Sequence, residues 1–114
     1  MAGKREQDLV AAVVQVLQAR GHLAWRNNSG RLRDRFGRWV TFGRVGSGDV
    51  LAVAAPYGRL VSVEVKLGKN AATPEQVAWA RSVEGAGGVA GVVRSLLDLE
   101  ALAARAEADP AALF

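Results

Sequence analysis

The hydrophobic positions near the start of the chain repeat at the spacing of an α-helix. Within residues 6–19 the apolar side chains recur at three- and four-residue steps: Leu9, Val10, Val13, Val14 and Leu17. Residues at those steps share one face, so the pattern predicts an amphipathic helix. Gly21 follows in the position of a C-terminal cap and is expected to end this helix.

Two strands are predicted in the middle of the chain, at residues 49–55 and 60–67, and the second alternates strictly between apolar and polar residues from Val61 to Leu67. One face of the second strand is apolar, and its other face carries Ser62, Glu64 and Lys66. Shorter strands are predicted at residues 23–27 and 89–93. The segment 31–47, which is rich in Arg and Gly, predicts at most a short hairpin.

Two further helices are predicted from their caps. Thr73, with Pro74 in the first turn, begins a helix that runs to about Glu84. Ser95, with Asp98 three residues later, begins a last helix that runs to about residue 107. Together with the strands, this order predicts an α/β sandwich with a central mixed sheet flanked by helices, in a single domain of residues 1–114.

The positive charge of the chain is concentrated in one segment. The net charge is +4, yet residues 26–44 alone carry +5, from six arginines and one aspartate. A focused basic segment attracts a polyanion, and arginine suits forked contacts to phosphate. The candidate DNA-binding residues are Arg26, Arg31, Arg33, Arg35, Arg38 and Lys69. We expect them to bind the phosphate backbone by shape and charge, with affinity falling as salt rises; the alternative is a solvated loop.

The composition also bears on compartment and on redox chemistry. The chain has no cysteine, which excludes disulfides and thiolate metal sites and fits a reducing compartment. The charged residues 1–8 are unlike a signal peptide, and no apolar run approaches the ~20 residues that a membrane helix needs. We therefore expect a cytoplasmic protein with no membrane partner.

The turn between the two central strands decides whether their polar residues meet. Pro56-Tyr57-Gly58-Arg59, with two or four loop residues, predicts an antiparallel pair in which Asp49 faces Lys66. Leu51 then faces Glu64, and the two carboxylates become diagonal neighbours, about 7 Å apart or less at their β-carbons. A loop of odd length would send Asp49 to the other face.

Two converging carboxylates repel each other, and a hard divalent cation between them offsets that cost. Oxygen ligands favour Mg²⁺ or Mn²⁺; zinc is disfavoured because His22 is the single histidine. Lys66 could orient or activate the attacking water, or balance charge in the transition state. The alternative is an exposed strand with a weak Glu64–Lys66 ion pair and Asp49 as a turn residue.

Two more polar residues are predicted to point toward the same region. Glu6 extends the apolar stripe of the first helix, although a carboxylate is also favourable at any helix N-terminus. Gln76 shares a helix face with Trp79. Its alternative role is local, because Thr73-Pro74-Glu75-Gln76 is a good capping box, and local physics favours the cap.

These residues resemble a known family when they are taken in order: Glu6, Gly48-Asp49, Glu64-Val65-Lys66 and Gln76. Over about residues 5–100 the chain is similar to the virus-type replication-repair nuclease (VRR-NUC) domain of the PD-(D/E)XK nuclease superfamily. Trp25-Arg26-Asn27-Asn28-Ser29-Gly30 and Val92-Val93-Arg94-Ser95 also resemble segments of that family. Gly48 is a departure, since many superfamily members have proline before the aspartate.

The resemblance implies a restriction-endonuclease-like sandwich and a metal-dependent endonuclease acting on branched DNA, such as four-way (Holliday) junctions or flaps. By that likeness Asp49, Glu64 and the backbone carbonyl of Val65 would hold Mg²⁺ or Mn²⁺. Lys66 would assist the water, Glu6 would support a metal or its waters, and Gln76 would orient the site. The family includes junction resolvases of phage and bacteria that work in DNA repair as homodimers, so a homodimer in a bacterial or phage-infected cell is expected.

Other functions stay open at this stage: a non-catalytic DNA-binding module on the same fold, a restriction-type nuclease that reads a short sequence, and a basic scaffold protein. The aromatic residues of the arginine-rich segment are Phe36, Trp39 and Phe42. We expect them to pack beneath that loop, ahead of forming a dimer patch or stacking on an unpaired base.

Overall fold

The computed structural model describes residues 3–113, and its elements follow the predicted order. The helices are α1 (Lys4–Ala19), α2 (Pro74–Gly85) and α3 (Leu96–Glu107), followed by a 3₁₀ turn at Pro110–Leu113. The strands are β1 (Leu23–Arg26), β2 (Gly30–Arg33), β3 (Trp39–Phe42), β4 (Val50–Ala54), β5 (Arg59–Val65) and β6 (Val89–Val93). No helix within residues 3–113 is long and apolar enough to cross a membrane.

Four strands form a mixed sheet in the order β1-β4-β5-β6. β4 runs antiparallel to β1 and β5, and β5 runs parallel to β6. Helices α1 and α3 pack against each other and against the sheet, while α2 packs on β5 and β6. The buried core includes Val13 and Leu17 of α1 together with Val50, Val61, Val63 and Val65 of the sheet. The predicted α/β architecture with helices flanking a mixed sheet is therefore confirmed.

The register between β4 and β5 differs from the predicted one by two residues. Val50 pairs with Val63, and Ala54 pairs with Arg59, so the four loop residues are 55–58. Gly58 takes a left-handed backbone (φ 77°), a conformation that favours glycine, at the end of this loop. Arg59 lies in the strand, where its guanidinium donates to the Ala106 carbonyl (2.9 Å) at the end of α3. An even shift preserves the faces of both strands.

The ends of the helices follow their local signals. Gly21, at φ 90°, comes just after α1, and the Ser95 hydroxyl accepts a hydrogen bond from Asp98 N at the start of α3. The ends of α1 and α3 are joined by Glu107, which accepts a hydrogen bond from Arg20 Nε (2.8 Å) and lies 2.6 Å from Nε2 of the buried His22. This cluster fixes the two helices that cover one face of the sheet.

Strands β2 and β3 form a separate hairpin, which we call the arm (residues 30–42). Within residues 3–113 they pack chiefly against each other and contribute little to the main core. The prediction that the aromatic residues pack beneath this segment is wrong, because Phe36 and Trp39 are 67% and 64% exposed. Their rings instead lie beneath arginine side chains of the arm itself.

Candidate active site

Asp49 immediately precedes β4, and its carboxylate reaches the neighbouring strand β5. Its Oδ2 accepts a hydrogen bond from the backbone N–H of Val65 (2.7 Å). A strand residue points its N–H and its C=O to the same side, so the Val65 carbonyl also faces the side on which Asp49 lies. Two of the three oxygen donors named from the sequence are thus brought together, the third being Glu64.

Glu64 lies on β5, on the face opposite the buried Val63 and Val65. Continuing the observed pairing one step beyond Val50 places Asp49 directly opposite Glu64, rather than opposite Lys66 as predicted. Directly opposed residues are closer than diagonal ones, so the two carboxylates converge more tightly than expected. Burial, and after it the negative charge of Asp49, raises the pKa of Glu64 to about 8.

Lys66 and Glu6 supply further charge around this pair. The Lys66 ammonium lowers the pKa of Glu64, against the effects of burial and Asp49, whereas the Glu6 carboxylate adds slightly to the rise. Glu6 lies in the first turn of α1 and lines a polar cavity of about 140 Å³ together with Asp49 and Arg26. All three acids and the lysine therefore act on one small region of the molecule.

Gln76 makes both the predicted capping contacts and a hydrogen bond to Glu64. Its Oε1 accepts a hydrogen bond from Thr73 N (2.9 Å), and its own N–H donates to the Thr73 hydroxyl (3.2 Å), which completes the capping box. Its Nε2 donates to Glu64 Oε1 (2.8 Å). The cap and the contact with Glu64 are compatible because they use different atoms of the side-chain amide. Its Oε1 accepts from Thr73 N, and its Nε2 donates to Glu64.

The pair of carboxylates fits a hard divalent cation by its donor chemistry. Both side chains offer oxygen and lie on adjacent strands, and burial, followed by the negative charge of Asp49, raises the pKa of Glu64. Within residues 3–113 no group of three or more His, Cys, Asp and Glu side chains has metal-site spacing. Any cation here would therefore depend on Asp49 and Glu64 with backbone and water oxygens, a donor set that suits Mg²⁺ or Mn²⁺.

The candidate DNA-binding residues fall into three areas. Four of them lie on the arm and are exposed: Arg31, Arg33, Arg35 and Arg38. Arg26 ends β1 and donates a hydrogen bond to Gln7 of α1, beside the polar cavity. Lys69 is exposed on the loop after β5, a loop that Arg94 holds through the Gly68 carbonyl (2.9 Å). The structure thus groups the arm arginines and leaves Lys69 on a separate loop.

Three residues that support the site had no assigned role in the sequence. Asn27, which the sequence placed at the end of a predicted strand, donates to the Gly48 carbonyl (2.8 Å) beside Asp49. Ser62 is buried on the Glu64 face and accepts a hydrogen bond from the Trp79 indole N–H (2.7 Å). A polar residue on the helix-covered face of a strand, with a Trp available on the next helix, is the signal that could have indicated this contact.

The close packing around Gly48 explains why glycine, and not proline, precedes Asp49 in this chain. A β-carbon at Gly48 would lie 2.4 Å from Ser62 Oγ and 2.8 Å from the Val63 carbonyl oxygen. Proline carries that atom as well, so the close approach of this segment to β5 requires glycine.

No family model, no curated protein and no solved structure gave a significant match to this chain.

Proposed function

We propose that this protein is a divalent-metal-dependent endodeoxyribonuclease with the restriction-endonuclease-like fold, of the VRR-NUC type. The observation that supports it is the opposition of Asp49 and Glu64 on adjacent strands, with the pKa of Glu64 raised to about 8. Folding such a pair without a compensating charge is unfavourable, and perturbed acids of this kind concentrate at functional sites. Two further residues act on this pair of carboxylates. The Lys66 ammonium lowers the pKa of Glu64, and Gln76 Nε2 donates a hydrogen bond to Glu64 Oε1. Hydrolysis of a phosphodiester would need positive charge and a positioned acid of this kind.

The residues that would hold Mg²⁺ or Mn²⁺ are Asp49, Glu64 and the backbone carbonyl of Val65. When bound, the cation supplies Lewis acidity toward the phosphate oxygens. Val65 N–H fixes the Asp49 carboxylate, and Gln76 fixes that of Glu64. Each acid is therefore held by a hydrogen bond from the protein, which limits the reorganisation needed when a substrate arrives.

The Lys66 ammonium has the role of orienting the attacking water and of balancing negative charge as the phosphorus becomes five-coordinate. Its own position is fixed by β-structure, since Lys66 N donates to the Val93 carbonyl (3.1 Å). Glu6 lies at the edge of the same region, where it would support waters of the site rather than complete the carboxylate pair.

Branched DNA, such as four-way junctions or flaps, is the substrate class we propose, with a homodimer as the working unit. One centre of this kind cuts one strand, so paired cuts across a junction need two centres related by a two-fold axis. The concentration of arginine in the arm supports a polyanionic substrate of considerable length.

A non-catalytic DNA-binding module is the alternative, and one observation favours it. Each acid already accepts a hydrogen bond from the protein itself, Asp49 from Val65 N–H and Glu64 from Gln76 Nε2. On this alternative the acids would be structural, and the arm would be the functional surface.

The deciding experiment incubates the purified chain with Mn²⁺ or Mg²⁺ and a four-way junction, a flap and a linear duplex of matched sequence. We expect cleavage of the branched substrates, lost in Asp49→Ala and reduced about 10²- to 10³-fold in Lys66→Ala. Glu100→Gln, which removes an exposed charge on α3, is the matched control and should cleave normally. Tight binding of all three DNAs without any cleavage would replace this proposal with the non-catalytic alternative.

A further inference from the structure

The arm makes the molecule longer than a compact chain of its size. The overall extents are 53 × 28 × 25 Å, and the radius of gyration is 14.8 Å, against about 13 Å for a compact domain of this length. Because β2 and β3 pack chiefly on each other, the arm is a projecting two-stranded ribbon.

The arm presents its positive charge as flat, supported guanidinium groups. Arg33 lies 4.7 Å from the centroid of the Trp39 ring, and Arg35 and Arg38 lie 4.8 and 5.1 Å from that of Phe36. Stacking holds the cationic plane in place, and Arg33 also donates weakly to the Gly37 carbonyl (3.4 Å). The one acid of the arm, Asp34, is engaged by Arg38 Nε (2.9 Å) and shapes the tip.

The two faces of the arm differ in chemistry. Arg31 pairs with Thr41 and Arg33 with Trp39, so these four residues share one face. The opposite face carries the apolar side chains of Leu32, Val40 and Phe42. One face of the ribbon is therefore directed toward anions, and the other is not.

We infer that the arm enters the major groove of duplex DNA, with Arg31 and Arg33 directed at the phosphates that line the groove. A two-stranded ribbon fits the major groove of undeformed B-form DNA, which is about 12 Å wide, whereas the minor groove, about 6 Å wide, takes such a ribbon only when the duplex is deformed. The inference rests on the proposed function only in taking DNA as the polyanion.

The base of the arm connects this groove contact to the acids. Asn27, just before the arm, donates through its side chain to Ser47 Oγ (2.7 Å) and to the Gly48 carbonyl, and its backbone N–H donates to the Asp49 carbonyl (2.9 Å). Both ends of the arm therefore return to residues adjacent to Asp49. A duplex held by the arm places the backbone that borders the groove beside the carboxylate pair.

The first test measures binding to a linear duplex in EDTA, so that cleavage plays no part. Arg31→Ala and Arg33→Ala are compared with Arg81→Ala, which removes the same charge from the exposed surface of α2. Each arm variant should weaken binding about threefold to tenfold and lower the slope of log K against log salt by about 1. Equal effects of all three variants would overturn the inference, and unchanged thermal midpoints confirm that the variants fold.

The second test asks which groove is used. DNA with glucosylated 5-hydroxymethylcytosine carries bulky groups in the major groove, and netropsin fills the minor groove of A·T tracts. We expect the glucosylated duplex to lose at least tenfold in affinity and netropsin to have little effect; the reverse pattern would overturn the inference. Duplex RNA, whose major groove is deep and narrow, should show the same affinity for the wild-type chain and the arm variants.

Cleavage assayed separately with Mn²⁺ distinguishes the two proposals. Groove-dependent binding by a chain that never cleaves would leave the arm inference standing and remove the nuclease proposal. If the wild-type chain cleaves and the arm variants bind and cleave as the wild type does, the nuclease proposal stands and the arm inference is overturned.

Discussion

Burial, and after it the negative charge of Asp49, disfavours the ionised form of Glu64 and raises the pKa of this carboxyl group to about 8. In the unfolded chain a glutamate loses its proton near pH 4.3. Between these two values the folded state binds more protons than the unfolded state. Stability without metal should therefore be greatest below the unfolded pKa and should fall as the pH rises toward 8.

Glu64→Gln tests this cost directly. The amide cannot ionise, so the variant should be more stable than the wild type at pH 8 without metal. The expected difference is only about 1–2 kcal/mol, because water still reaches part of the wild-type carboxylate and reduces the cost of its ionisation. Urea unfolding at pH 5 and pH 8 gives the comparison, and the difference should shrink at pH 5. Mn²⁺ should stabilise the wild type and leave Glu64→Gln unchanged; equal stabilisation of both would show that Glu64 is no ligand.

Gly48 provides a second test at the scale of one residue. Gly48→Ala forces a β-carbon against Ser62 Oγ and the Val63 carbonyl, and should destabilise the fold by about 1–3 kcal/mol. Gly85→Ala, at the end of α2, meets nothing within 4 Å and is the control, with unchanged or slightly higher stability. Thermal unfolding of the two variants gives the measurement, and equal midpoints would mean that the Gly48 segment can move away from β5.

At the scale of elements, the start of α2 combines a cap with a contact to the site, and the two can be separated. Thr73→Ala removes the hydroxyl acceptor and should cost about 1 kcal/mol of stability. It should leave metal-dependent cleavage by the folded fraction unchanged. Gln76→Glu keeps an acceptor for the cap but replaces the amide donor to Glu64 with a like charge, so the position of the Glu64 carboxylate changes and cleavage should fall at least tenfold. Loss of activity in Thr73→Ala as well would show that the cap itself positions the acid.

The cluster that joins the ends of α1 and α3 should respond to pH in the opposite sense to Glu64. The hydrogen bond from Arg20, and after it that from His22, holds the pKa of Glu107 below its usual value. Its contribution to stability is therefore present above the unfolded pKa and is lost as the pH falls through the folded one. Glu107→Gln should be less stable than the wild type at pH 7 and should approach it in acid, as followed by urea unfolding. A constant difference from pH 7 to pH 3 would assign the effect to packing alone.

The helices and strands of the main sheet were predictable because their signals are local. The strand at 89–93, the capping box at Thr73 and the glycine after α1 all depend on neighbouring residues. The register of β4 and β5 was not predictable, because a turn with two or four loop residues fits more than one pairing and the observed pairing also includes a contact between distant parts of the chain, from Arg59 to the end of α3. The even length of the turn was enough to place Asp49 and Glu64 on the predicted face.

At the scale of the whole molecule, the short hairpin predicted within residues 31–47 is present as the arm, but its projection from the sheet could not be predicted from the sequence. The alternation of apolar and polar residues in this segment is short, because Asp34, Arg35, Gly37 and Arg38 interrupt it. Its aromatic side chains also favoured burial, since large aromatic residues are usually buried. The ladder of β2 with β3 instead leaves Phe36 and Trp39 exposed beneath arginines. Composition correctly singled out the segment as basic, whereas its projection from the sheet is a tertiary property.

The proposed function also makes a prediction about assembly. Paired cuts across a junction need two centres, so light scattering at micromolar concentration should give twice the 12.0 kDa mass of the chain. The measurement should be repeated in the presence of a four-way junction and EDTA. A monomeric mass under both conditions would count against the dimer and would leave nicking of one strand as the activity.

The single amide of Gln76 joins two events that are usually separate in a protein. Thr73 N–H is held by the same group whose other end holds Glu64. An ion that draws the acid toward itself must also pull on the first turn of α2. Amide hydrogen exchange at Thr73 should therefore change when Mn²⁺ is added, so that one backbone proton becomes a reporter of occupancy some distance from the ion itself.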